Sequence, residues 1–327
     1  ENYADYLIAN IFIRNTDWPG NNIRYFRKQT AQYEPNAPYG HDGRWRWMLF
    51  DTDHGFGFVG QPDSHMHNTL AFATAMNGPS WPNPPWSTVI TREILKNQNY
   101  QHYFLNRFAD MLNTAFQSPR ILNLMDSISA LYTSEIQLHS ERWNVMADWL
   151  DEIAVVEEFI LERPFYQWLH LQSYFQLDGT FTVDLDVSNQ AHGFVEINTV
   201  TIHPNTVGIE QNPYPWHGDY FQNIPIQLKA VPKQGYEFSH WSGDYFSTNS
   251  EITIITDSNI HIVAHFEPLP AVNENLIYFW VFDSSLPNNT PFSNLTSTFS
   301  ATSDNANIKF VSCLPDYPYD PNHAFWR

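Results

Sequence analysis

The first fifteen residues, ENYADYLIANIFIRN, repeat apolar side chains at helical spacing, with Tyr3, Leu7 and Ile11 beside Tyr6, Phe12 and Ile13 near one face. The spacing predicts a helix over 1–14. The same period predicts helices over about 87–116, where Val89, Ile90, Ile94, Leu95, Phe104, Leu105, Phe108, Met111 and Leu112 recur, and over about 119–140 and 144–175. Pro164 falls inside the last pattern and is expected to break or kink that helix, because it lacks a backbone N–H. Residues 23–58 read as a β insertion, and NGPSWPNPPW at 77–86, with four prolines, reads as loop.

Near residue 177 the period changes from helical to alternating. GTFTVDLDV puts Phe181, Val183, Leu185 and Val187 on one face; IPIQLKAV does so with Ile224, Ile226 and Leu228. EITIITDSNIHIVAHFEP continues with Ile252, Ile254, Ile260, Ile262 and Ala264. These are expected to be half-buried antiparallel strands. The chain is therefore expected to be a multidomain α+β protein: a mainly helical domain with a small β insertion at 1–176, and a small antiparallel β domain at 177–268. Residues 269–327, from the linker PLPAVNE through the apolar LIYFWVF, are read as the linker and start of a further, incomplete β domain. An apolar helix at residue 1 has little before it to pack on, which reads as a piece cut from a longer chain.

Composition narrows the function classes. Sixteen Lys and Arg against thirty-five Asp and Glu give a net charge of −19. A nucleic-acid partner is disfavoured, since phosphate binding needs a basic face, and so is an anionic membrane surface. The single cysteine, Cys313, excludes an intrachain disulfide and a cysteine-based zinc cage. No apolar run approaches the ~18 residues of a membrane span.

Two stretches carry candidate chemistry. In GRWRWMLFDTDHGFGF, 43–58, a strand read as buried ends on Asp51 and Asp53, followed by His54, Gly55 and Gly57. Carboxylates there could hold a hard cation, and the glycines would let a phosphate approach; a capped turn needs the same residues. In RNTDWPGNN, 14–22, Asp17 precedes Asn22 by five positions. A loop with that spacing, then a strand, then an aspartate on a glycine turn, has the logic of a protein-kinase site. Pro19 and Gly20 would equally make a simple turn.

Residues 1–175 resemble the C-terminal half of the CotH family, atypical secreted kinases named for a spore-coat protein. The matching stretches are NTDWPGNN, the strand pair IRYFR and GRWRWMLFD, the turn DTDHGFG, then REILKNQNYQHYFLNRFADMLNTAF and HSERW. The resemblance implies transfer of the ATP γ-phosphate to protein side chains with Mg2+ or Mn2+. It implies Asp17 as the catalytic residue, Asn22 and Asp51 as cofactor-binding metal ligands, and Asp53 as a second candidate for the metal. A kinase also needs an upstream lobe with a phosphate-covering loop and a lysine, and no lysine precedes Asp17. The 327 residues alone are accordingly expected to be inactive, with apolar surface exposed on the 1–14 helix and the 23–58 strands where that lobe would dock. A surface or adhesive protein keeping the scaffold without turnover is the competing reading.

SHMHN places His65 and His67 two apart; His-x-His can ligate zinc or iron, and a polar loop would hold the same residues. His139 and Arg142, three apart, are expected to form a buried structural pair. Residues 179–268, with GYEFSHWSGD, resemble the divergent bacterial surface repeat, which implies core roles for Phe238 and Trp241 and a secreted or cell-surface bacterial location with cell-surface partners. Exposed Trp216, with Tyr214 and Tyr220, would be the alternative, a glycan platform.

Overall fold

A computed structural model describes residues 1–57, 63–143 and 149–270, with the backbone of two further short strands at 280–283 and 323–326. Residues 1–268 form one compact unit and 269–327 a second. In the second, the strand expected over LIYFWVF is described only as β11, Trp280–Asp283, paired antiparallel with β12, His323–Trp326; the rest of that expectation lies outside the described residues.

The first unit begins with α1, Asn2–Phe12, which buries Ala4, Leu7, Ile8 and Ile11. Its apolar surface is covered by later elements: α2 (Thr69–Ala73), α4 (Gln98–Leu112) and α6 (Trp149–Phe175). The apolar residues of α1 are thus largely covered, contrary to the expectation that α1 would add exposed apolar surface. The helix expected over 87–116 divides into α3, Val89–Ile94, and α4, where the Asn97 side chain accepts from Tyr100 N and caps the new helix. Helix α5, Ser118–Trp143, then packs against α6.

Helix α6 runs through Pro164 without a break. Proline leaves the carbonyl four residues earlier without its donor. That carbonyl belongs to Ile160 and accepts instead from the Ser118 hydroxyl at 2.7 Å. The expected alternative of a break does not occur, since a hydrogen bond from another helix satisfies the freed carbonyl.

Beyond α6 lie two four-stranded sheets. One has the order β6 (Trp216–Phe221), β3 (Thr180–Val187), β10 (Ile260–Pro268), β8 (Tyr236–Gly243). The other has the order β5 (Val200–Ile202), β4 (Gly193–Ile197), β7 (Ile226–Pro232), β9 (Glu251–Ile254). Alternate residues are buried, so that Phe181, Val183, Leu185 and Val187 line one face of β3. Pairing is antiparallel except between β3 and β10, the first and last strands, which lie parallel. Trp241 is fully buried and Phe238 packs against the same core. Trp216, Tyr214 and Tyr220 are also buried, which removes the glycan platform: the Tyr214 hydroxyl accepts from Val195 N and donates to Ile202 O.

Helix α4 meets these strands through polar groups. The fully buried Asp110 carboxylate accepts from Thr199 N (2.9 Å), the Thr199 hydroxyl (2.5 Å) and the Tyr220 hydroxyl (2.9 Å). Asn106 donates to Pro225 O at 2.8 Å, and Asn113 exchanges two hydrogen bonds with the Asp219 backbone. Burial pushes the Asp110 carboxyl up to about 6 against the opposing pull of these donors. The change from helix to sheet thus lies inside one compact unit, between α6 and β3.

Candidate functional site

The site is built on the end of α1. Arg14 adopts a left-handed conformation (φ 61°) that terminates the helix, and Asn15 turns back to donate to the Asn10 side chain at 2.9 Å. The same Asn15 accepts from Asp17 N at 3.1 Å. Buried Trp18 anchors the loop from below, its indole N–H reaching the Tyr6 hydroxyl at 2.7 Å. Gly20 N donates to Pro82 O at 2.5 Å, and a Cβ at Gly20 would lie 2.4 Å from that oxygen, so only glycine lets the proline-rich loop approach so closely. The loop is thereby held between a helix and a second loop, and Asp17 stands on a fixed backbone.

Asn21 and Asn22 complete the cluster. Asn21 donates to Asp17 Oδ1 at 2.9 Å, and Asn22 Nδ2 donates to Asp17 Oδ2 at 2.7 Å. Asn22 Nδ2 also lies 3.4 Å from the Asp51 backbone carbonyl. Asn22 and Asp51 both have φ of 51°, a left-handed conformation that asparagine and aspartate tolerate better than most residues. The turn after Asp51 is tied to α1: Gly55 N donates to Thr52 O and Phe56 N to Ile13 O. A Cβ on Gly55 would meet Ile13 O at 3.1 Å, which accounts for a glycine in the turn.

The structure joins Asp17 and Asn22 side chain to side chain, and brings Asp51 to Asn22 through its backbone carbonyl. The carboxylates of Asp51 and Asp53 are both exposed, and no hydrogen bond or ion pair among the described residues joins either of them to Asp17 or Asn22. Among the described residues, no three His, Cys, Asp or Glu side chains are gathered as a metal cluster. The oxygen donors shown near one another are the Asp17 carboxylate, the Asp51 backbone carbonyl and the Asn22 amide, whose NH2 group already serves Asp17 and Asp51. Hard oxygen donors in this number fit a cation of the magnesium class, which keeps several waters and takes few protein ligands.

The strand expected to be buried before Asp51 is not. Strands β1, Arg24–Phe26, and β2, Arg46–Met48, form an isolated two-stranded ribbon. One face leans on α1, where Trp47 packs on Tyr3 and bonds Asn2 through its backbone. Tyr25, Phe26, Trp45, Met48, Leu49 and Phe50 remain exposed. A two-stranded ribbon has too little surface to bury both faces by itself. The exposed apolar surface expected of the 23–58 strands is present. A groove of about 380 Å³, lined by Tyr6, Trp18, Ile23, Tyr25, Trp47 and Trp86 among others, opens beside the Asp17 loop. The loop joining the strands is fixed at Asp42: burial would raise its carboxyl, but donors from Arg44 and Arg46 outweigh this and hold it at about 2.

Among the described residues His65 and His67 are not gathered with other ligand side chains: the His67 ring meets the Thr69 hydroxyl at 3.0 Å and the His65 ring lies 4.0 Å from Glu158. The backbone carbonyls of both accept from Arg163 Nη1 at 2.7 Å. The same guanidinium donates to Phe12 O (2.8 Å), Ile11 O (2.7 Å) and the Thr69 hydroxyl (3.1 Å). Arg163 thus clamps the end of α1, which carries the Asp17 loop, to the segment after the Asp51 turn. No local motif signals it, because its partners lie about a hundred residues or more away in sequence. His139 and Arg142, expected to be buried, are exposed on α5.

Comparison with known proteins follows this division. Residues 1–167, just over half of the chain, match the family model for CotH kinase protein. Residues 198–270 match the model for the divergent InlB B-repeat domain. No curated protein and no solved structure matches the chain.

Proposed function

The chain belongs to the CotH kinase protein family, and from that premise we propose that its parent protein transfers the γ-phosphate of ATP to side-chain hydroxyls of a protein substrate. The observation that carries this reading is the single hydrogen-bonded cluster joining Asp17, Asn22 and Asp51. Asp17 orients the acceptor hydroxyl and takes its proton, as the catalytic-loop aspartate of kinases does. Asn21 and Asn22 hold that carboxylate in one orientation, so its free lone pairs face a substrate without rearrangement. Asn22 and Asp51 are the residues that would hold Mg2+ or Mn2+, with Asp53 the next nearest carboxylate in sequence. The cation would supply neutralisation of phosphate charge.

The match of residues 198–270 to the divergent InlB B-repeat domain supports reading the protein as one that works outside a bacterial cell, secreted or surface-attached. No helix among the described residues is long and apolar enough to cross a membrane. The exposed aromatic ribbon is the wall that an upstream nucleotide-anchoring lobe would cover.

The test is transfer from radiolabelled ATP by the 327-residue chain and by a chain extended upstream, each beside its Asp17→Ala and Asp51→Ala variants. Labelling by the extended chain that both substitutions abolish supports the kinase. No labelling by it with either Mg2+ or Mn2+ favours a surface protein that keeps the scaffold without turnover.

A further inference from the structure

Side chains alternate along β1 and β2, so the ribbon has two different faces. Arg24, Phe26 and Met48 point to one, the face that an upstream lobe would cover. Tyr25 and Trp47, which are register partners, point to the other, together with Trp45 and Arg27. This second face meets α1 where Trp47 packs on Tyr3 at 4.6 Å, and it stays open beyond that contact. The opening is the groove of about 380 Å³, which lies within the ~300–1,000 Å³ of ligand pockets. Trp86 and Ile90, from the segment that enters α3, complete it. Most of its lining residues are aromatic and none is charged. Tyr25, Trp45, Trp86 and Ile90 are exposed.

The polar atoms of the groove select the occupant. The Ser87 hydroxyl donates to Pro84 O at 2.8 Å, the Tyr3 and Thr91 hydroxyls pair at 2.7 Å, and the Tyr6 hydroxyl accepts from the Trp18 indole. The indole N–H groups of Trp45 and Trp86 make no hydrogen bond among the described residues, and an indole N–H can only donate. An ordinary peptide or a glycan brings many N–H or O–H donors, and few acceptors would receive them. A proline-rich segment brings rings that pack on aromatic faces, carbonyls that accept, and few N–H groups. Charge narrows the class further. Residues 23–50 hold five basic residues, Arg24, Arg27, Lys28, Arg44 and Arg46, against Glu34 and Asp42, in a chain of net charge −19. Asp42 takes Arg44 and Arg46, whereas Arg27 and Lys28 are exposed and have no ion pair among the described residues. The Arg27 guanidinium lies 5.9 Å from the Trp45 ring, at the rim of the groove. We propose that this groove docks a proline-rich segment of a partner protein, with carboxylates along one edge of that segment facing Arg27. A polyproline helix has three residues per turn, so Pro-Pro-Asp repeats put proline on two edges and every aspartate on the third. This docking requires no phosphoryl transfer and stands apart from the cluster at Asp17.

The experiment follows the fluorescence anisotropy of labelled peptides added to the full chain without nucleotide: four Pro-Pro-Asp repeats, four Pro-Pro-Lys repeats and four Gly-Gly-Asp repeats. The expected result is saturable, submillimolar binding of the Pro-Pro-Asp peptide alone, weakened by added salt. Trp86→Ala and Tyr25→Ala should each lower its affinity about tenfold or more, with an unchanged circular dichroism spectrum, since both residues are exposed. Arg27→Glu should weaken the Pro-Pro-Asp peptide several-fold and let the Pro-Pro-Lys peptide bind, an exchange that a merely sticky aromatic surface would not give. No binding of the Pro-Pro-Asp peptide, equal binding of all three peptides, or binding indifferent to Trp86→Ala and Arg27→Glu would overturn the proposal. Tighter binding of an N-acetylglucosamine tetramer, lost in Trp86→Ala, would overturn it too and assign the groove to a glycan.

Discussion

The helical and sheet regions of the first unit bury different kinds of side chain. Every buried polar or charged residue among those described lies between Asn10 and Gln167; none lies in 180–268. The sheets satisfy their own backbone groups strand to strand, so alternation suffices: apolar side chains inward, polar ones outward. The helical region must also hold irregular loops against one another, and their carbonyls need donors from inside. Arg163 and Asn83 supply them, and Asn15 braces the loop on the Asn10 side chain. The difference follows from what each region holds up. The Asp17 loop and the Asp51 turn are not regular structure, and buried polar side chains fix them.

The contrast breaks first if the two regions respond alike to truncation. Trp241→Ala, in the sheets, should cost about 3–5 kcal/mol from lost packing, measured by urea unfolding. The exposed Trp45→Ala, on the ribbon, should stay within about 0.5 kcal/mol of the unaltered chain. In the helical region the comparable loss should come from a polar residue. Arg163→Met keeps much of the volume but removes the donors to four carbonyls, and should cost about 3 kcal/mol, given ~1–3 kcal/mol for an unsatisfied buried group with partial relaxation. Limited proteolysis should then cut first near residues 63–69, where the His65 and His67 carbonyls are released. Next comes the junction: Asp110→Ala strands the Thr199 and Tyr220 donors and should cost about 2 kcal/mol, with hydrogen exchange rising in β5 and β6.

The smallest effect is a pH response of opposite sign at two places. Burial, with Arg14 and Arg163 nearby, lowers His67 to about 4, and burial with Arg163 lowers His170 to about 4, against an ordinary 6.5. The unfolded chain then binds more protons between pH 6.5 and about 4, so the segment around α6 loses stability as pH falls through that window. Asp110 is raised to about 6 from 3.8, so between those values the folded chain binds the extra proton. The α4 junction should therefore gain stability as pH falls from 6 toward 3.8. Hydrogen exchange at pH 4.5 and 7, corrected for intrinsic rates, should show peptides of 63–73 loosening in acid and those of 106–113 tightening.

The sheets were readable because burial alternates at period two, and β3, β7 and β10 lie where that alternation lies. The parallel pairing of β3 with β10 was not readable, since period two is the same for either direction. The Asp17–Asn22 spacing was readable because five positions of one loop suffice to bring the two side chains together. Three things depended on distant partners and left no local trace. Ser118 rescues the carbonyl opposite Pro164; Arg163 takes the His65 and His67 carbonyls as acceptors; and the ribbon before Asp51 stays open because α1 covers one face only. Asp51 meets the Asn22 amide through its backbone carbonyl, a contact that the pattern of side chains along the sequence could not show.

The central claim is that Asp17, Asn22 and Asp51 form one cation and phosphate site. It is tested most directly by titrating Mn2+ into the upstream-extended chain with ATP present and following the free-ion electron paramagnetic resonance signal. The account predicts loss of that signal with the unaltered chain and its return in Asp51→Ala and Asn22→Ala, while Asp53→Ala behaves nearly as the unaltered chain. Equal Mn2+ uptake by all four, or loss of uptake only in Asp53→Ala, would contradict it.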